Sequence, residues 1–137
     1  MKYSKNENTS RYYRIYLIFM LIACSGAFIW QFFLPNFAGN YSSWGNSIGW
    51  QREIALWNIA IITVIIYALI KRNDEYMKIL TIQCTVLCLL LGANHLVSWL
   101  FGNSSNNVIH VLGVFEVLIM GGIGGLVLLW KTKNRIN

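Results

Sequence analysis

Charge is what this chain has least of: five acidic residues against eleven basic ones, with charged side chains only 12% of the total. A water-soluble domain carries about twice that share, and with 56% hydrophobic residues a solvated surface over a single core is excluded. Proline is nearly absent, its one occurrence being Pro35, so long helices can run uninterrupted on either side. The three cysteines, Cys24, Cys84 and Cys88, are an odd number that one chain cannot pair completely. Cys84 and Cys88 stand four apart rather than in a C-x-x-C redox spacing. They read as free thiols serving as small hydrophobes, and a thiol-redox enzyme is disfavoured.

What is present is apolar sequence in membrane-crossing lengths. A bilayer needs about 20 residues of helix, and four stretches qualify, at about 13–34, 50–70, 77–101 and 108–130. The first is too long for a cleavable signal and has no small-residue cleavage site after it, so it is read as a retained span. The expected fold is all-α: an integral membrane four-helix bundle running up-down-up-down, filling all 137 residues as a single domain. Residues 1–10, MKYSKNENTS, lack apolar periodicity and read as a disordered tail, with Ser10 available to cap the first helix. Asn73 or Asp74 is placed to cap the third span, and Asn106 or Asn107 the fourth. The short KRNDEY turn makes spans two and three expected antiparallel neighbours.

The net charge of +6 invites a nucleic-acid reading until its placement is considered. Lys2, Lys5, Arg11, Arg14, Lys71, Arg72, Lys78, Lys131, Lys133 and Arg135 all fall on one side of the four spans, and Arg52 alone on the other. That is the positive-inside pattern, which predicts a multi-pass protein with both termini in the cytoplasm, the lipid bilayer as partner and no nucleic acid.

Against so few charges, each ionisable group within a span needs a reason. Glu53 lies at the external start of span two and Asn58 about a turn and a half deeper; Asn94 and His95 lie in span three, His110 and Glu116 in span four. At 1.5 Å per residue, His95 is about 9 Å and Glu116 about 12 Å below the external boundary. All of them fall in the external half, and the cytoplasmic half of every span holds nothing more polar than Thr or Gln. Cys84, Cys88, Gly92 and His95 share one face of span three, so thiols line the path below the imidazole. The candidate ligand-binding set is Glu53, Asn58, His95 and Glu116, with Trp50 at the entrance. Trp30, Phe37, Tyr41 and Trp44 complete an aromatic cluster at headgroup level.

Each candidate has a plainer explanation. Glu53 suits a helix's first turn through the dipole. His110 suits the interface, and His95 a bond between helices. A carboxylate at the depth of Glu116 must be protonated, paired or hydrated. Glu53, His95, His110 and Glu116 are the weighed metal ligands, but no E-x-x-H or H-x-x-x-H pair supports a metal site, and no cofactor is predicted. A haem pair is disfavoured because His95 and His110 are expected at different depths. Gly121 and Gly125 form a G-x-x-x-G, with Gly113 two turns earlier. That face allows close helix approach, either within the chain or to a second copy or larger complex.

The run REIALWNIAI, carrying Glu53 and Asn58, followed by LLGANHLVSW, carrying Gly92 and His95, resembles a bacterial family of small four-span membrane proteins of unknown function, distantly similar to the DoxX-like group. The resemblance covers spans two to four and implies four helices with a polar external pocket, without an established chemistry. Three functions follow as expectations: a pocket binding or conducting a small polar ligand, proton or cation; an accessory subunit acting through helix contacts; and a metal-dependent membrane redox enzyme. The first two involve no catalysis.

Overall fold

The computed structural model describes residues 3–102 and 107–136, and among these there is no strand. Helix α1 spans Tyr3–Phe33, a short α2 spans Pro35–Asn40, α3 Ile48–Lys71 and α4 Asp74–Phe101. The last span is one helical rod in three parts: α5 Val108–Gly113, a π-helical stretch Val114–Ile123, and α6 Gly124–Ile136. Four segments are long and apolar enough to cross a membrane: Thr9–Phe33, Ile48–Lys71, Asp74–Phe101 and Val108–Lys133. The chain is a multi-pass, all-α membrane protein. Helix α1 begins and α6 ends at one end of the bundle, the terminal end, and residues 34–47 connect helices at the other, the loop end.

Local chemistry sets the boundaries. Pro35 sits in the first turn of α2, the helical position that tolerates a missing N–H. The α3–α4 turn closes with Arg72 in a left-handed conformation at φ 50°, and Asn73 Oδ1 then accepts from the backbone N–H groups of Glu75 and Tyr76. At span four, Asn107 accepts from His110 and Val111 through its carbonyl and makes no side-chain cap, while Asn106 lies outside the described residues.

Two expectations need correction. Residues 3–10 continue α1 rather than forming a disordered tail, and Ser10 lies inside the helix instead of capping it. The segment contains neither Gly nor Pro, and extending an existing helix avoids the cost of nucleating one. Spans two and three, joined by the shortest turn, make few contacts. Span two packs chiefly on span one, and span four on span three. A short turn brings two helix ends together without aligning their small-residue faces, and those faces decide packing in lipid.

The decisive small-residue face belongs to spans three and four. A methyl group on Gly92 would come within 2.5 Å of the Leu118 Cα, and one on Gly121 within 2.6 Å of Cys88 Sγ. Gly113 lies against the His95 ring and Gly125 against Thr85. The glycine face of span four is thus covered by the chain's own third span.

Candidate functional site

The two halves of the bundle are filled differently. Toward the terminal end the spans close on Leu17, Ile65 and Met77, all essentially inaccessible, with Tyr13, Ala68 and Cys84 beside them. Polar groups there are paired: Tyr13 Oη donates to Thr132 Oγ1 at 3.0 Å and Tyr16 Oη to the Gly121 carbonyl at 2.8 Å. The Thr85 hydroxyl meets the Thr81 carbonyl at 2.6 Å, and Thr81 meets that of Met77 at 2.8 Å.

Toward the loop end the helices diverge. Helix α5 packs on α4 and stands away from α1 and α3. The gap is a cavity of about 500 Å³ bordered by all four spans and by Phe37 and Tyr41 of the connecting segment. Its wall is mostly apolar, with Phe19, Ala27, Trp30 and Leu91 among its members, and the polar groups bordering it include Gln31, Asn58, His95 and Glu116. The thiols of Cys24 and Cys88 mark its floor, where the packed half begins.

Of the residues singled out from sequence, Asn58, His95 and Glu116 border this cavity, while Glu53 and Trp50 do not. Glu53 is exposed on α3, and Trp50, 70% exposed, points away from the bundle. Trp50 stands in the first turn of α3 and Glu53 in the second, next to Ile54, which borders the cavity. Asn58 donates from Nδ2 to the Ile54 carbonyl at 3.2 Å and borders the cavity. Glu116 lies in the π-helical stretch. In such a stretch the backbone bonds to the fifth residue on, a widening often found at functional sites. Gln31 was not legible as a site residue, since a glutamine at the end of an apolar span looks interfacial. It borders the cavity, and its Oε1 is buried without a hydrogen-bond partner.

His110 is the largest departure from expectation. Rather than lying at the interface it is 0% exposed, and its Nδ1 is 3.3 Å from His95 Nδ1. The two imidazoles therefore lie at one level. Spans three and four are staggered: His95 is six residues from the end of α4 and His110 two residues into α5, so α4 projects about 6 Å further. At this separation the rings touch each other and leave no space for a haem between them. The α2–α3 connection seals the pair. Ser43 N–H donates to His110 Nε2 at 3.0 Å, with Ser43 Oγ at 2.8 Å. Trp44 lays its ring 4.8 Å from that of His95 and 4.7 Å from that of His110, and donates from Nε1 to Ser98 Oγ at 2.7 Å. Trp44 is therefore a roof over the histidines as much as a headgroup aromatic.

This arrangement sets the tautomers. A backbone N–H can only donate, so His110 Nε2 accepts, and the ring proton is on Nδ1. That proton is donated to His95 Nδ1, and a neutral His95 then carries its own proton on Nε2. Neither Glu53 nor Glu116 hydrogen-bonds to the pair, and among the described residues no three His, Cys, Asp or Glu groups come together as a metal site.

The chain matches no protein family, no curated protein and no solved structure. Its reading rests on the geometry above.

Proposed function

We propose that this chain is a bacterial plasma-membrane protein with both termini in the cytoplasm, whose cavity, on the external side of the bilayer, binds a small ligand. The observation that carries the reading is the gathering of Gln31, Asn58, His95 and Glu116 on one cavity of about 500 Å³. Volumes of this size, mostly apolar with a few polar groups, are the usual form of a small-molecule site. Polar side chains within a membrane span are retained at a cost in stability, which argues for use. Binding is favoured over conduction because Leu17, Ile65 and Met77 fill the bundle below the cavity. The resemblance of spans two to four to a family of small four-span membrane proteins, distantly similar to the DoxX-like group, belongs to the same proposal, since it implies a polar external pocket. The helix-contact reading loses its main surface, because the glycines of span four are packed against span three.

Native mass spectrometry of the protein in nanodiscs drawn directly from the membrane tests the proposal. The wild type is expected to release a bound small molecule, and Ala27→Trp, which fills the cavity, is expected to lose it while remaining folded. Identical small-molecule content in the two proteins would overturn it.

A further inference from the structure

The chemistry facing the cavity is unbalanced. Gln31 Oε1 is buried without a partner, Asn58 gives one amide N–H to its own helix, and Glu116 brings a carboxyl group. The tautomer chain from Ser43 through His110 leaves His95 with its proton on Nε2. No Lys or Arg is among the bordering residues, so nothing from the chain neutralises a carboxylate there. An unpaired carboxylate in a membrane span is costly unless it meets a proton or a cation. The apolar wall, meanwhile, is unusually aromatic: Phe19, Trp30, Phe37 and Tyr41 all border the space. Ring faces attract a cation that has shed its water. An unpaired buried acceptor, an uncompensated carboxylate and aromatic walls all select the same ligand chemistry.

Resting on the binding function proposed above, we infer that the ligand is a lipophilic amine cation. Its ammonium head is held by Glu116 with the side-chain oxygens of Gln31 and Asn58, and its apolar body lies against Phe19 and Trp30. The space of about 500 Å³ equals the liquid volume of roughly seventeen waters at about 30 Å³ each, which admits a small amphiphile. Anionic amphiphiles are excluded by the same carboxylate. The gap between α3 and α5, where the two spans do not pack, is the side from which such a molecule enters out of the surrounding lipid. The ammonium N–H groups supply a donor for Gln31 Oε1, which is otherwise buried without a partner. The neutral histidine pair, locked by Ser43, adds no competing positive charge.

Three probes with one skeleton and different heads test this: phenylbutylamine, phenylbutanol and phenylbutanoate, titrated by calorimetry into the protein in zwitterionic nanodiscs, with empty nanodiscs subtracted. The amine is expected to bind at least about tenfold tighter than the alcohol, a difference of about 1.4 kcal/mol, and the carboxylate weakest. Glu116→Gln should bring the amine down to the alcohol's affinity and leave the alcohol unchanged. Gln31→Leu, which keeps the carboxylate, should weaken the amine several-fold and provides the test if Glu116→Gln does not fold. An alcohol that binds as tightly as the amine, or an amine indifferent to both substitutions, overturns the cation assignment while the cavity remains a binding site. If none of the three binds the wild type and Ala27→Trp changes nothing, the binding function fails with it.

Discussion

The terminal half and the loop half of this bundle are built from the same four helices yet solve opposite problems. In the terminal half Tyr13, Tyr16, Thr81, Thr85 and Thr132 each hydrogen-bond within or between spans, around side chains packed without access. In the loop half the three buried side-chain oxygens without a partner among the described residues occur together: Gln31, Gln51 and Asn107. A buried polar atom left unpaired costs about 1–3 kcal/mol, so one half is optimised for stability and the other carries a deficit. Natural proteins tolerate such deficits where a ligand or partner removes them. The contrast teaches that polarity within a span is informative only together with its pairing: a threonine satisfied by its own helix and a glutamine facing a cavity are both merely polar in a sequence.

The contrast is broken most directly by making the same kind of change in both halves. Gly121→Leu forces a side chain against Cys88, where a methyl group alone would sit at 2.6 Å, and is expected to cost about 3 kcal/mol or to prevent folding. Ala27→Trp enters the cavity and is expected to change stability by less than about 1 kcal/mol, in either direction. Denaturant titration of both variants in micelles checks this; equal losses would mean the cavity is as closely packed as the glycine seam. A smaller effect is expected from Tyr16→Phe, which removes the bond to the Gly121 carbonyl at the end of the π-helical stretch. Interhelical hydrogen bonds in membranes contribute about 0.6 kcal/mol on average and up to about 1.7 kcal/mol. A loss near the upper value is expected because the carbonyl is buried, and no measurable loss would show that the terminal half does not depend on its polar pairs. Smallest of all should be Glu53→Gln. Its carboxylate is exposed and off the cavity, so stability should move by less than about 0.5 kcal/mol and ligand affinity should not move. A variant that abolished binding would extend the site to the mouth of span two.

Much of the architecture is legible in the sequence because it depends on local quantities. Span lengths follow from bilayer thickness, and the described helices agree with the expected spans to within a few residues at most ends. The Asn73 cap follows from one side chain meeting the next turn. The segregation of His95, His110 and Glu116 to one half follows from counting along helices. The helical extension of α1 to Tyr3 was missed because polar composition says little about a segment that continues an existing helix. The distance between spans two and three was missed because chain adjacency is weaker than complementarity of faces.

By itself the sequence determined four apolar helices, their order and alternating direction, and the half in which ionisable groups collect; each is a one-dimensional property of period and length. Only the tertiary structure decided which of those groups meet. The stagger of α4 past α5 brings His95 and His110 into contact, the α2–α3 connection returns Ser43 and Trp44 onto them, and the divergence of α5 from α1 opens the cavity that Gln31 and Glu116 share. None of these is written in any single helix. Each depends on the relative height and rotation of two helices, which are set where Gly92 and Gly121 let spans three and four come close.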